Sequence, residues 1–211
     1  MKIRSHSILL SASVRFGLMS IIVFAFLQVS GCSSSEKDNR EIREREKEDV
    51  SELSEAELIF EVAEIEQQNP MYNIDSDTTV LYWLNDNAAD LSGYTKCNVF
   101  ALNVLERAGF RTPDENCLSS DMFDTSVYNE VFPVVGMNEI EIALPGDLVV
   151  WNGHVIIFEK IVSAGGEDYA LGWWAGTKQS DNGDNIFNNV CHGKYPLIGE
   201  FVIRRPVRIK E

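Results

Sequence analysis

Two residues of this chain have the types and settings for nucleophilic chemistry, Cys97 and His154. Cys97 follows Tyr94-Thr95-Lys96 and opens a run to Gly109 in which Phe100, Ala101, Val104, Leu105 and Ala108 recur at helical spacing. A thiol attacks well only as thiolate, and its pKa falls at a helix N-terminus and beside a histidine. A helix beginning at Cys97 supplies the first condition. Its positive end favours a thiolate by about 1 kcal/mol or less when exposed and by up to ~2 kcal/mol when partly buried. The unpaired amides of its first turn are donors for an oxyanion. His154 supplies the second condition, because it sits between the turn Asn152-Gly153 and the apolar run Val155-Ile156-Ile157-Phe158. Of the three histidines, His6 lies in the N-terminal leader, which leaves His154 and His192 as candidate bases. His192 stands in a Cys-His-Gly turn and is the second choice. The competing reading is bland: a cysteine on a helix is a small core residue, and a histidine before a strand is a turn residue.

The elements that must position this pair follow from pattern. Ser54-Glu55-Ala56-Glu57 has the form of a capping box. Leu58, Ile59, Val62, Ala63 and Ile65 then repeat at helical spacing until Gln67-Gln68-Asn69-Pro70 ends the helix. Residues 78–84 are a second helical piece, and residues 121–131 hold a short helix. Gly109 is a natural residue to end the Cys97 helix. From Ile140 the character changes to strand: Glu139 to Ile142 alternates, Pro145-Gly146-Asp147 is a turn, and 148–151 and 155–158 are apolar runs of strand length. Gly165-Gly166 reads as a hairpin tip, with 169–174 returning as the next strand. Residues 178–189 are a polar Asp/Asn/Gly-rich loop, and 198–204 and 207–210 close the sheet. Helices first and antiparallel strands after them predict an α+β domain.

Cys97-x-x-Phe100-Ala101-x-x-Val104-Leu105-x-x-Ala108-Gly109, then Pro145-Gly146-Asp147 with Leu148 to Trp151, then Gly153-His154-Val155-Ile156-Ile157-Phe158 resembles the NlpC/CHAP group of papain-like cysteine hydrolases. The resemblance covers roughly residues 55–205. Cys97-Asn98 departs from the commoner Cys-Ser-Gly start and is closer to amidase-like branches. The resemblance implies a papain-like fold, with N-terminal helices and the nucleophile helix packed on an antiparallel β-sheet. It implies cleavage of amide bonds in peptidoglycan stem peptides, by an endopeptidase or amidase. Cys97 would attack, His154 would act as base and then acid, and the Cys97 amide would serve the oxyanion. The third polar group of such sites comes from the next strand. The matching position holds Trp174, which accepts no hydrogen bond from an imidazole. Thr177, Gln179, Asp181 and Asn182 remain as candidates, with Asp181 favoured as a carboxylate. Tyr94, Asn98 and Trp174 are candidates for lining the substrate or oxyanion site, although Trp173 and Trp174 read equally well as core. Two other classes stay open: a catalytically silent wall-binding protein on the same fold, and an acyltransferase using the same thioester chemistry. No cofactor is expected. No CxxC or HxxxH spacing suggests a metal, and Gln179 to Asn185 lacks the ligand order of an EF-hand.

Residues 1–31 read as a leader. Lys2, Arg4 and Arg15 precede a short apolar run that ends in small residues, the form of a secretory signal. Leu27-Gln28-Val29-Ser30-Gly31-Cys32 resembles a bacterial lipobox, which implies cleavage before Cys32 and lipid on that residue. Ser33, in place of aspartate, implies export to the outer membrane, facing the periplasm. An uncleaved anchor and an ordinary secreted protein are the alternatives. Residues 32–50 hold almost nothing apolar and read as a charged tether, reaching about 25 Å as a coil and at most roughly 65 Å stretched. Residues 51–211 are the hydrolase domain, expected as a monomer. The net charge of −15 becomes −18 once the leader, with three basic residues and no acidic one, is removed. Such a surface repels phosphates and argues against nucleic-acid partners; peptidoglycan and, through the lipid, the membrane are the expected ones. With Cys32 lipidated and Cys97 reactive, Cys117 and Cys191 are free to pair, a bridge worth roughly 4 kcal/mol. Two unpaired buried thiols are the alternative.

Overall fold

The computed structural model describes residues 53–176 and 185–210. The chain divides into two units, Met1–Ser51 and Glu52–Glu211, and all of the described structure lies in the second. Helix α1 spans Glu55–Gln67. Its capping box forms as the sequence predicts: Ser54 Oγ accepts from the Glu57 N–H, and the Glu57 carboxylate accepts from the Ser54 N–H. Ile59 and Ala63 are buried on its inner side. Helix α2 spans Cys97–Arg107, and every residue from Cys97 to Leu105 is buried. It ends in a Schellman motif: the Gly109 N–H bonds to Glu106 O and the Phe110 N–H to Leu105 O. Gly109, at φ 81°, adopts the left-handed conformation this requires. Arg107 in the last turn of α2 pairs with the buried carboxylate of Glu66 on α1, to which Tyr72 also donates at 2.8 Å. That polar knot locks α1 against α2.

Residues 78–84 are not a helix. Strand β1, Thr79–Leu81, pairs with β2, Asn87–Ala89, with a single 3-10 turn at Tyr82–Leu84 between them. Thr78, Thr79 and Val80 are β-branched and favour extended backbone. The hairpin turns through Asn85 and Asp86, both at positive φ, and the Asn103 side chain of α2 accepts from the Tyr82 N–H at 2.7 Å. The helix expected over 121–131 is the shorter α3, Ser119–Phe123.

The main sheet is antiparallel and seven-stranded, in the order β3-β9-β4-β5-β6-β8-β7. Its strands are β3 Val134–Met137, β4 Leu148–Trp151, β5 His154–Ala164, β6 Glu167–Ala175, β7 Asn185–Phe187, β8 Val190–Pro196 and β9 Phe201–Arg204. The alternation at 139–142 belongs to a 3-10 turn, Ile140–Ile142, and not to a strand. Three strands escape the sequence pattern, β3, β7 and β8. The expected strand at 207–210 is a single bridge, Phe110↔Arg208. Pro206 interrupts it, and the Val207 and Ile209 amides bond to loop carbonyls of Val131 and Gly109. Within the predicted loop over 178–189, Asn185–Phe187 pairs with β8 through Asn188 and Asn189, both at positive φ. Asparagine tolerates that region, and hairpin turns use it.

Period-two alternation divides the sheet into two faces. Leu148, Val150, Val155, Ile157, Trp173, Ala175 and Val190 pack with α1 and α2. Val149, Trp151, Ile156, Phe158, Trp174, Cys191, Phe201 and Ile203 form a second cluster on the other face. The α+β class predicted from element order is therefore the observed one. The disulfide is not. Cys117 belongs to the helix-side cluster and Cys191 to the far one, so the sheet separates them. Cys97, Cys117 and Cys191 are all buried, and no bridge joins Cys117 to Cys191.

Candidate active site

Cys97 is the first residue of α2 and is only 3 % exposed. The segment before it is pinned by Lys96. This side chain is fully buried, and its ammonium donates to the carbonyls of Met71 (2.8 Å), Asn73 (2.9 Å) and Ser76 (3.1 Å). Burial pushes the Lys96 pKa down, while Asp90 and Asp77 pull it up. No sequence pattern marks this anchor, since a lysine beside a cysteine looks like surface.

The sheet opens where Cys97 meets it. The β5–β6 ladder stops at Ile157↔Trp173, although β6 continues to Ala175. Strand amides alternate in direction. The Phe158 N–H donates toward β4, to Asp147 O at 2.8 Å, so the Val155 N–H faces the β6 side. There the ladder has ended, and hydrogen bonding from the Val155 amide lowers the Cys97 pKa. The Asn98 and Cys97 backbone and the Ser119 side chain act in the same direction. These donors favour a thiolate. Burial outweighs them, and the net effect pushes the Cys97 thiol above its ordinary pKa. The lowered pKa expected of a helix-terminal cysteine is thus overturned: the dipole acts, but the sulfur is desolvated.

His154 begins β5 opposite Trp151. Its ring stacks on Tyr195, with centroids 4.7 Å apart and planes 16° from parallel, and lies 6.4 Å from the Trp151 ring. Burial among these rings pushes its pKa down to about 4. Among the described residues the buried Nε2 has no hydrogen-bond partner, and no hydrogen bond joins His154 to Cys97. Cys97 belongs to the helix-side cluster, whereas the His154 ring lies with Trp151 and Tyr195 on the far side. What links the two is the backbone: the Val155 amide that lowers the Cys97 pKa follows His154 directly. Tyr195, stacked on His154, lies near enough to Cys97 for a thiolate's charge to raise the phenol pKa, alongside the larger effect of burial.

The position opposite His154 is not Trp174. The two-residue tip Gly165-Gly166 and a bulge at Glu159 set the register Ile157↔Trp173. The ladder ends at that pair, so among the described residues no β6 residue is paired with His154. Gly176 has φ 94°, and a Cβ there would come within 3.1 Å of the Thr95 Cβ. The Thr95-to-Cys97 segment therefore occupies the space a side chain on residue 176 would need. Trp174 is 3 % exposed and packs in the far cluster with its ring edge-on to Tyr195, so it cannot stack on a substrate. The candidates Thr177, Gln179, Asp181 and Asn182 lie outside the described residues, as does Cys32.

Asn98 donates its side-chain amide to Cys117 O at 2.8 Å, which leaves only its backbone N–H toward the sulfur. Tyr94 is 68 % exposed at the surface before Cys97. His192, the second candidate base, is engaged elsewhere: its Nε2 meets Glu159 at 2.6 Å, and its ring stacks on Trp173 at 3.9 Å and 7°. Sequence reasoning missed Ser119, the Val155 amide and Tyr195. Tyr195 lies on a strand that carries no clean alternation, so nothing in the sequence points to it. Among the described residues, no group of three or more His, Cys, Asp and Glu residues could hold a metal ion. Among them, too, no helix is long and apolar enough to cross a membrane. Compared with protein-family models, with curated proteins and with solved structures, the chain has no match.

Proposed function

We propose that this chain is a cysteine hydrolase of amide bonds, a papain-like domain held to the cell envelope by lipid on Cys32 and acting on peptidoglycan stem peptides. The observation that carries the reading is the placement of Cys97 as the first residue of α2, beside the amide of Val155, the residue after His154, where the β5–β6 ladder ends.

The chemistry starts from neutral partners. At neutral pH an imidazole of pKa about 4 carries no charge and can accept a proton. The Cys97 thiol, its pKa raised, keeps its proton until the substrate carbonyl arrives. Sulfur then bonds to the carbonyl carbon while its proton passes to His154. The oxyanion accepts hydrogen bonds from the helix-terminal amides, and the C–N bond breaks as His154 returns the proton to the amine. Water, deprotonated by His154, hydrolyses the thioester to the acid and the free thiol. Purified peptidoglycan sacculi test the reading: Cys97→Ala and His154→Ala should each abolish release of soluble fragments without loss of the fold. Undiminished release by Cys97→Ala would sink it.

A second reading is a catalytically silent wall-binding protein on the same fold. Among the described residues, the unpartnered Nε2 favours it. Labelling with iodoacetamide separates the two: pH-dependent, His154-dependent modification of Cys97 marks the enzyme, and an inert Cys97 marks the binder.

A further inference from the structure

We propose that Tyr195 is the positioning residue for His154, holding the imidazole by its face. The inference rests on the reading of Cys97 and His154 as nucleophile and base.

A base must present one nitrogen to the thiol in a fixed plane. A polar third residue does this through a hydrogen bond to the other ring nitrogen. Here Nε2 has no hydrogen-bond partner among the described residues. The ring is nevertheless constrained. Tyr195 lies almost parallel to it at 4.7 Å. Tyr195 is in turn held by the Trp174 edge at 5.3 Å and 79° and by Trp151 at 4.7 Å and 47°. Trp151 is fixed by its indole N–H, which donates to Ile198 O at 3.0 Å, and by Phe201 at 5.6 Å. Four aromatic rings from β4, β6, β8 and β9 thus set the plane of one imidazole.

The stack also acts during the reaction. When the thiol proton moves from Sγ to the imidazole, the ring becomes a cation. The imidazolium then lies over the electron-rich face of Tyr195, which attracts a cation within about 6 Å. A carboxylate would serve the same end by its charge; here a quadrupole does so. The same stacking keeps water from that ring face, which favours the neutral ring at rest. Proton and charge balance within the pair: Sγ loses the proton and gains the bond to carbon, and the imidazole holds the proton until the leaving amine takes it.

The experiment is the rate of Cys97 alkylation by iodoacetamide across pH in the lipid-free full domain and its variants. His154→Ala sets the whole contribution of the base. Tyr195→Phe keeps the aromatic face and should stay within about twofold of wild type. Tyr195→Leu removes it and should lose about tenfold, the size of a desolvated cation–π contact. If Tyr195→Leu matches wild type while His154→Ala is slow, the dyad stands and the role of Tyr195 falls. If Phe and Leu are equally slow, the hydroxyl acts rather than the face, and the stacking proposal is wrong. If His154→Ala labels like wild type, the base reading fails and Tyr195 fails with it. One measurement needs no variant. In the wild type the His154 ring protons should resonate upfield of free histidine, because they lie over the Tyr195 face; unshifted resonances would overturn the stack directly.

Discussion

Acidification is the perturbation to which this site should respond most clearly. His154 holds its pKa near 4 against an ordinary value of 6.5, and the cause is burial. Above pH 6.5 the ring is neutral in both the folded and the unfolded chain and has no effect. As pH falls below that value, the unfolded chain takes up a proton that the folded chain refuses. Stability rises with pH wherever the unfolded state binds more protons, so it is lost on the way down. The loss is about 1.4 kcal/mol per pH unit and ends when the folded protein also protonates, near pH 4. Over the whole window it sums to about 3 kcal/mol. The groups against the ring are the Tyr195 phenol and the Trp151 indole, and neither is charged in this range. The assay is urea unfolding of wild type and His154→Asn between about pH 7 and about pH 4. All other titrating groups are common to both proteins. The variant loses packing but escapes the titration, so the two stability curves should converge by about 3 kcal/mol toward low pH. Parallel curves would refute the assignment of a buried neutral imidazole, and with it the resting state from which the chemistry was derived.

Lys96→Met removes the ammonium that satisfies three carbonyls and should cost about 3 kcal/mol in urea unfolding, because hydrogen bonds to a charged donor are worth more than neutral ones. A change below about 0.5 kcal/mol would mean that water can replace the ammonium. Gly176→Ala places a Cβ against Thr95 in left-handed backbone; it should destabilise by roughly 1–2 kcal/mol and slow Cys97 alkylation, since Thr95 leads into the nucleophile. Reductant should leave the thermal unfolding midpoint unchanged, because Cys117 and Cys191 lie on opposite faces of the sheet; a lower midpoint under reduction would restore the bridge.

Much of the positional framework was legible in the chain itself, for a local reason. A capping box at Ser54 and Glu57, a glycine after Ala108, and the hairpin tip Gly165-Gly166 act through bonds between residues a few positions apart. Helical periodicity from Cys97 and strand-length apolar runs at 148–151 and 155–158 report burial one element at a time. Those signals sufficed to place Cys97 at a helix start and His154 at a strand start. Short and edge elements were less legible. The strand Val134–Met137 is four residues long, and Val190–Pro196 interleaves buried and part-buried positions without a clean apolar pattern.

What the tertiary structure alone decided concerns the space between those elements. A single bulge at Glu159 sets the β5–β6 register at Ile157↔Trp173, so Trp174 does not stand opposite His154. Sheet alternation puts Cys117 and Cys191 on opposite sides, a separation that cysteine counting cannot see. Desolvation reverses the direction of the Cys97 shift that a helix N-terminus would give, because burial is a sum over neighbours from the whole chain. The aromatic support of His154 is likewise assembled from Trp151, Trp174, Tyr195 and Phe201 on four strands. Residue type and local spacing name a nucleophile and a base; their protonation, and what holds the imidazole in place, are properties of the packed sheet.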